Sequence, residues 1–164
     1  MRRGGTAARF SGCLQWLEEA GILVRCHNVA IPELPLDVNA MPDKFKVYIR
    51  DTGLFVSMLE DGAQADILRG NLIGCSGAIM ENLAADILSK VDRKLYYFHR
   101  NSGLEIDYVL RYRGEFHLME VKATTGDAKG VRTVLADREK YHVVGALKFG
   151  DFKVGRNGRI LNLP

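Results

Sequence analysis

The apolar positions change period along the chain, and each change marks an element. Phe10, Leu14, Trp16, Leu17 and Ala20 recur at helical spacing, with Gly21 as the stop. Residues 22–26 read as a short strand, and Pro32 and Pro35 mark an extended connector. Phe45, Val47 and Ile49 alternate with Lys44, Lys46 and Arg50, predicting a strand whose lysine face is solvated. Residues 54–59 read as a short helix. Helical spacing returns with Leu72, Ile73, Ile79, Leu83, Ile87 and Leu88, a stripe ending near Lys90. Three strands are predicted next, at 95–99, 104–111 and 115–123, with Arg113-Gly114 as a tight turn between the last two. Asp127 is placed to cap a helix running to about Arg138, and residues 141–149 read as a fourth strand. Residues 151–154 and 159–163 then form a closing hairpin around Asn157-Gly158.

The predicted order after residue 71 is helix, three strands, helix, strand, which is an α/β domain. Residues 1–71, with a helix, a strand and a wing-like connector, resemble part of a winged helix, and read as a small appendage. The chain has 164 residues, enough for one core. It has no run of eighteen apolar residues, so no transmembrane helix is expected. No apolar run follows Met1-Arg2-Arg3-Gly4-Gly5, so a secretory signal is not expected either. Cys13, Cys26 and Cys75 lie far apart without a C-x-x-C pair, which excludes a zinc ribbon and suits a reducing, cytoplasmic setting. The net charge of +3 is small, but it is unevenly placed. Residues 1–71 hold 8 Lys/Arg against 9 Asp/Glu, and residues 72–164 hold 15 against 11. A polyanion would therefore meet the second part.

The chemistry is concentrated in Glu105-Ile106-Asp107 and Glu120-Val121-Lys122. A hairpin turning at Arg113-Gly114 pairs residues whose numbers sum to 227. Asp107 then faces Glu120, and Glu105 faces Lys122, with Cβ atoms roughly 4.5–5.5 Å apart. Alternation puts all four on one sheet face, with Leu104, Ile106, Tyr108, Met119 and Val121 on the other. Two carboxylates about 4 Å apart repel by on the order of 4 kcal/mol at an effective dielectric near 20. A proton, a cation or a metal must offset that cost. Carboxylate oxygens are the ligands Mg²⁺ uses, and a lysine beside them suits metal-assisted hydrolysis of a phosphodiester. Glu81 interrupts the apolar helix and either joins this cluster or faces solvent. The competing reading is a structural network, with Glu105–Lys122 an ordinary cross-strand pair. His27, His99, His117 and His142 have no metal-ligand spacing, and His117 falls on the face opposite Glu120. Tyr96, Tyr97 and Phe98 read as core.

Asp107, then Glu120-x-Lys122, with an upstream helical Glu81, resembles the PD-(D/E)xK restriction-endonuclease-like superfamily and its αβββαβ core. Four segments, in this order, resemble one family more closely: residues 45–54 (FKVYIRDTGL), 77–82 (GAIMEN), 105–109 (EIDYV) and 120–122 (EVK). That family is the uncharacterised domain found C-terminal to the ATPase module of many prokaryotic AAA-type ATPases. Leu14-x-x-Leu17 with Ala20-Gly21-Ile22-Leu23 also resembles the winged-helix-like linker of those proteins. The superfamily resemblance implies that Asp107 and Glu120, with the Val121 carbonyl, hold Mg²⁺ or Mn²⁺. It implies that Glu81 is the helical acid and that Lys122 positions water or stabilises charge. Lys129, at the start of the next helix, then sits where a phosphate contact falls, or else begins a solvated helix.

No G-x-x-x-x-G-K-[ST] sequence occurs, so no P-loop ATP site is expected in this chain. The expectation is a Mg-dependent DNA endonuclease. The alternative is a non-catalytic nucleic-acid- or protein-binding module serving an AAA-type ATPase. A winged-helix DNA reader is a weaker third reading, since the charge of residues 1–71 opposes it. DNA, a P-loop ATPase domain and a second copy of the chain are the expected partners. A dimer or domain contact is expected to cover Trp16 and Leu17.

Overall fold

A computed structural model describes residues 7–71, 76–91, 94–123 and 126–164. Met1 to Gly5, Cys75, and Leu72 and Ile73 of the expected helical stripe lie outside the described residues. The fold is mixed α/β, with two mixed sheets. The chain opens with α1 (Ala7–Glu19), β1 (Leu23–Val29) and β2 (Ala40–Ile49), followed by the short helices α2 (Thr52–Ser57) and α3 (Ala63–Leu68). Then come α4 (Ser76–Lys90), β3 (Leu95–His99), β4 (Glu105–Ile106), β5 (Tyr108–Tyr112) and β6 (Glu115–Lys122). It closes with α5 (Lys129–Ala136), β7 (Gly145–Gly150), β8 (Gly155–Asn157) and β9 (Ile160–Leu163). The expected order of helix, three strands, helix and strand is therefore present, with the middle strand divided.

One sheet runs β2-β1-β3-β4 and the other β5-β6-β7-β9-β8. β1 and β2, from the expected appendage, share a sheet with β3 and β4. β1 lies parallel to β3, Cys26 pairing with Leu95, and Val29 and Leu36 share a core with Phe98 and Ile106. The physical reason is burial: Leu23, Cys26 and Val29 give β1 apolar residues on both faces, which only an interior strand can cover. The core has two sides. On one, α5 presses Val131, Val134 and Leu135 onto Phe98, Val109 and Leu118. On the other, α4 lays Ala84 and Ala85 against Cys26, Tyr97, Tyr108 and Val121.

The buried face of α4 differs from the expected stripe. Asn82, Ala84, Ala85, Asp86 and Ser89 face inward, while Ile87 is 48% exposed. Small and polar residues win because α4 must satisfy backbone groups of the edge strand β2. The Asn82 side chain accepts from the Ile49 amide at 2.8 Å and donates to the Ile49 carbonyl at 3.0 Å. Asp86 accepts from the amide and hydroxyl of Thr52. Asn82→Ala should therefore strand two backbone groups of Ile49 and lower stability by about 3 kcal/mol, read as a lower urea midpoint with an unchanged m-value.

Other boundaries moved for local reasons. Asp127 spends its carboxylate on Arg132 at 3.1 Å, and Ala128 occupies the cap position of α5. Tyr141 is not strand but a buried ring edge-on to Phe98. The turn between β5 and β6 is as expected, with Arg113 at φ 51° and Gly114 at φ 82°. Among the described residues no helix is long and apolar enough to cross a membrane.

Candidate active site

The register that the turn imposes holds from Tyr112↔Glu115 to Tyr108↔Met119. It stops one residue short of Asp107. There the chain bends, leaving the first sheet at Ile106 and joining the second at Tyr108. The bend changes the parity of the strand. Ile106 packs on the α5 side with Leu118, whereas Tyr108 packs on the α4 side with Met119 and Val121. The expected single polar face, with Ile106 and Tyr108 together behind it, is thereby corrected. The acids meet around a bend between two sheets, not across a flat ladder.

Asp107 and Glu120 are both buried, 9% and 7% exposed. One oxygen of Asp107, Oδ2, accepts from the Val121 amide at 2.8 Å. The Val121 group that the structure shows engaged is thus its amide. Glu120 Oε1 pairs with Lys122 Nζ at 2.6 Å, while Glu120 Oε2 is buried with no hydrogen-bond partner among the described residues. Burial, then the charge of Glu120, pushes the Asp107 carboxyl up to about 7, against the pull of the Val121 amide. Lys122 loses solvation too, but its bond to Glu120 and the charges of Glu120, Asp107 and Glu81 hold its pKa above the ordinary lysine value.

Glu81 turns toward the cluster. Its Oε2 accepts from the Tyr48 hydroxyl at 3.0 Å, and its backbone carbonyl accepts from the Tyr108 hydroxyl at 2.8 Å. Burial raises the pKa of both phenols, so they stay protonated donors. The residue that sequence reasoning missed is Lys46. Its ammonium sits 2.8 Å from Glu105 Oε1, 3.6 Å from Glu81 Oε2 and 5.1 Å from the centre of the Tyr97 ring. Burial opposes its charge, but the hydrogen bond to Glu105 and the surrounding acids outweigh that and raise its pKa. The same bond holds Glu105 below the usual carboxylate range. Glu105 is therefore partnered by Lys46, not by Lys122. The lysine face expected to be solvated is the inner one: Tyr48 is buried and Val47 is 41% exposed. The signal was present in the sequence, since Lys46 and Tyr48 share a parity and both lie in the segment 45–54.

Lys129 is exposed at the first position of α5. A Cβ on the next residue, Gly130, would meet the Glu105 carbonyl, so the start of α5 abuts the rim of the cluster. Gly150 supports the other end. It pairs with Lys122 across β6 and β7, at φ 153°, and a Cβ there would collide with the Lys122 carbonyl. Gly150→Ala should cost about 2–3 kcal/mol and push Lys122 away from Glu120, visible as a lower melting temperature.

The donor set suits a hard divalent cation: two buried carboxylates, one with an orphaned oxygen, and a third acid on α4. Among the described residues, no three His, Cys, Asp or Glu side chains stand close enough together to hold an ion as arranged. No curated protein and no solved structure matches the chain. Residues 76–164, more than half its length, match the family described as "Domain of unknown function (DUF4143)", an uncharacterised domain often found in the C-terminal region of AAA-type ATPases, and the chain belongs to that family.

Proposed function

We propose that this chain is a Mg²⁺- or Mn²⁺-dependent DNA endonuclease with the site chemistry of the PD-(D/E)xK superfamily. The observation that carries the reading is Glu120 Oε2, a buried carboxylate oxygen without a partner among the described residues, beside a second buried carboxyl at Asp107. An apolar pair of the same shape would be cheaper, so the arrangement is best explained by a ligand that is charged. Asp107 and Glu120 would hold the cation, with Glu81 on α4 as the third acid of the set. The chemistry such a cation supplies is Lewis-acid polarisation of a phosphoryl oxygen and a lowered pKa for water. Lys122, whose charge is upheld by Glu120 and the surrounding acids, would offer its ammonium to the scissile phosphate. Lys46 and Tyr48 position Glu105 and Glu81, so that the acids do not spring apart. The net positive charge of residues 72–164 favours a polyanionic substrate.

A second reading is a non-catalytic nucleic-acid- or protein-binding module that serves an AAA-type ATPase. The Lys122–Glu120 ion pair favours it, because a closed pair needs no cation. Calorimetric titration of Mg²⁺ and Mn²⁺ into wild type and Asp107→Ala, followed by incubation with plasmid and single-stranded DNA, separates the two. Metal binding and nicking confined to wild type are the expected result. Identical behaviour of the two proteins would leave a structural charge network.

A further inference from the structure

The face of β1 turned away from the acidic cluster carries a different set of charges. Alternation sends Val24 and Cys26 toward α4 and leaves Leu23, Arg25 and His27 on the other side. A cavity of about 590 Å³ opens beside this face and reaches round to α4, its apolar wall formed by Leu23, Val24, Ala40, Pro42, Leu95 and Tyr96. That is the size of a small-molecule site. Its polar lining is Glu18, Arg25, His27, Asp37, Arg50, Ser89 and Lys94.

Not all of these charges are free. Arg25 donates through Nε and Nη2 to Glu18 Oε2, at 2.7 and 2.5 Å, so that pair is satisfied. Arg50 holds the Ser89 carbonyl at 3.3 Å through Nη2, leaving the rest of its guanidinium fork. Lys94 is exposed and makes no ion pair among the described residues. Among the described residues, the lining outside the Arg25–Glu18 pair thus holds two cations, Arg50 and Lys94, and one acid, Asp37. Among the described residues, His27 Nδ1 is buried with no hydrogen-bond partner. The imidazole lines the cavity, where its ring nitrogens can donate or accept a hydrogen bond.

The spacing sorts these groups. Arg50 follows Ile49, which pairs with Leu23, and Lys94 precedes Leu95, which pairs with Cys26. Both cations therefore lie to one side of His27, which stands about 13 Å along β1 from Leu23. The lining thus has cations toward one end, an apolar wall, and an imidazole nitrogen at the other. We propose that this cavity binds a nucleoside monophosphate, its phosphate held by Arg50 and Lys94 and its sugar or base hydrogen-bonded to His27. The site uses none of the residues assigned to the cleavage centre, and stands or falls separately from it. The terminal nucleotide of a 5′-phosphorylated strand offers the same chemistry as a free mononucleotide.

The test is calorimetric titration of the full chain with adenosine monophosphate, adenosine, inorganic phosphate and a short 5′-phosphorylated oligonucleotide. Saturable binding of the monophosphate is expected, with adenosine and phosphate each weaker by about tenfold or more. Lys94→Glu, a surface change that should leave the melting temperature in place, is expected to weaken the monophosphate by at least about tenfold, and Arg50→Gln likewise. Asp107→Asn should leave that affinity unchanged. Several results would overturn the assignment: no saturable binding up to about 10 mM, phosphate binding as well as the nucleotide, or indifference to Lys94→Glu. Binding of the oligonucleotide but not of the free monophosphate would equally overturn it in favour of a strand-end site.

Discussion

Asp107→Ala is expected to reduce metal-dependent nicking of plasmid DNA by about 10³-fold, a loss of about 4 kcal/mol of transition-state stabilisation. Glu120→Gln should do the same, because the amide keeps the shape of the side chain while removing the charge that a divalent cation needs. Lys122→Met should also lose activity by about 10²–10³-fold, but it should retain metal binding, since it frees Glu120 from the 2.6 Å ion pair. That split is informative. A ligand and a phosphate-facing cation differ in how they change metal affinity, whereas members of a structural charge network would all change stability alone. Lys46→Met belongs to a third class. It contacts Glu105 and Glu81 and neither buried acid, so its effect should be a weaker metal affinity and a modest fall in rate, of about tenfold. The measurements are initial nicking rates at saturating Mn²⁺ and calorimetric metal affinities for the four variants. Equal rates in wild type and Glu120→Gln would sink the nuclease reading.

These residues also show what the sequence does and does not disclose. Strand pairing was legible because the Arg113-Gly114 turn forces a register, and Tyr108↔Met119 obeys it. The convergence of Asp107, Glu120 and Lys122 followed from that register. What pattern alone could not give was the bend at Asp107, which comes from a carboxylate competing for the Val121 amide. Once the bend forms, Ile106 and Tyr108 serve different cores, and alternation counted through Asp107 fails. β2 failed in the opposite sense. Val47 is apolar and Lys46 charged, so hydropathy chose the wrong inner face. The inner face is decided by Glu81 and Glu105, which repay the burial of an ammonium. α4 misled for the same reason: its inner face is set by the backbone groups of Ile49 and by Thr52, which need Asn82 and Asp86 more than they need another leucine. Each error falls where a polar group is buried with a partner remote in sequence, and periodicity carries no information about such partners.

The buried Asp107 carboxyl should also make stability depend on pH in a direction opposite to that of most salt-bridged acids. Its folded-state pKa is about 7, against an ordinary 3.8. Below pH 4 the group is protonated in both the folded and unfolded chain and contributes no difference. Between about 4 and 7 the unfolded chain gives up its proton while the folded one keeps it, so the unfolded state binds fewer protons and stability falls as pH rises. Above 7 the full penalty is in place, up to about 4 kcal/mol for a difference of some three pH units. Asp107→Asn cannot ionise, and its amide oxygen still accepts from Val121. The variant should match wild type near pH 4 and exceed it at pH 8, with urea midpoints as the readout. On the proposed function a divalent cation should reverse this trend, because it would bind the ionised carboxylate and so compete with the proton. Mn²⁺ should raise the melting temperature of wild type more at pH 8 than at pH 6, leave Asp107→Asn nearly unmoved, and release protons on binding near neutral pH. A cation that stabilised both proteins equally at both pH values would have to bind elsewhere, and the buried acids would then be held together by the Lys122 and Val121 contacts alone.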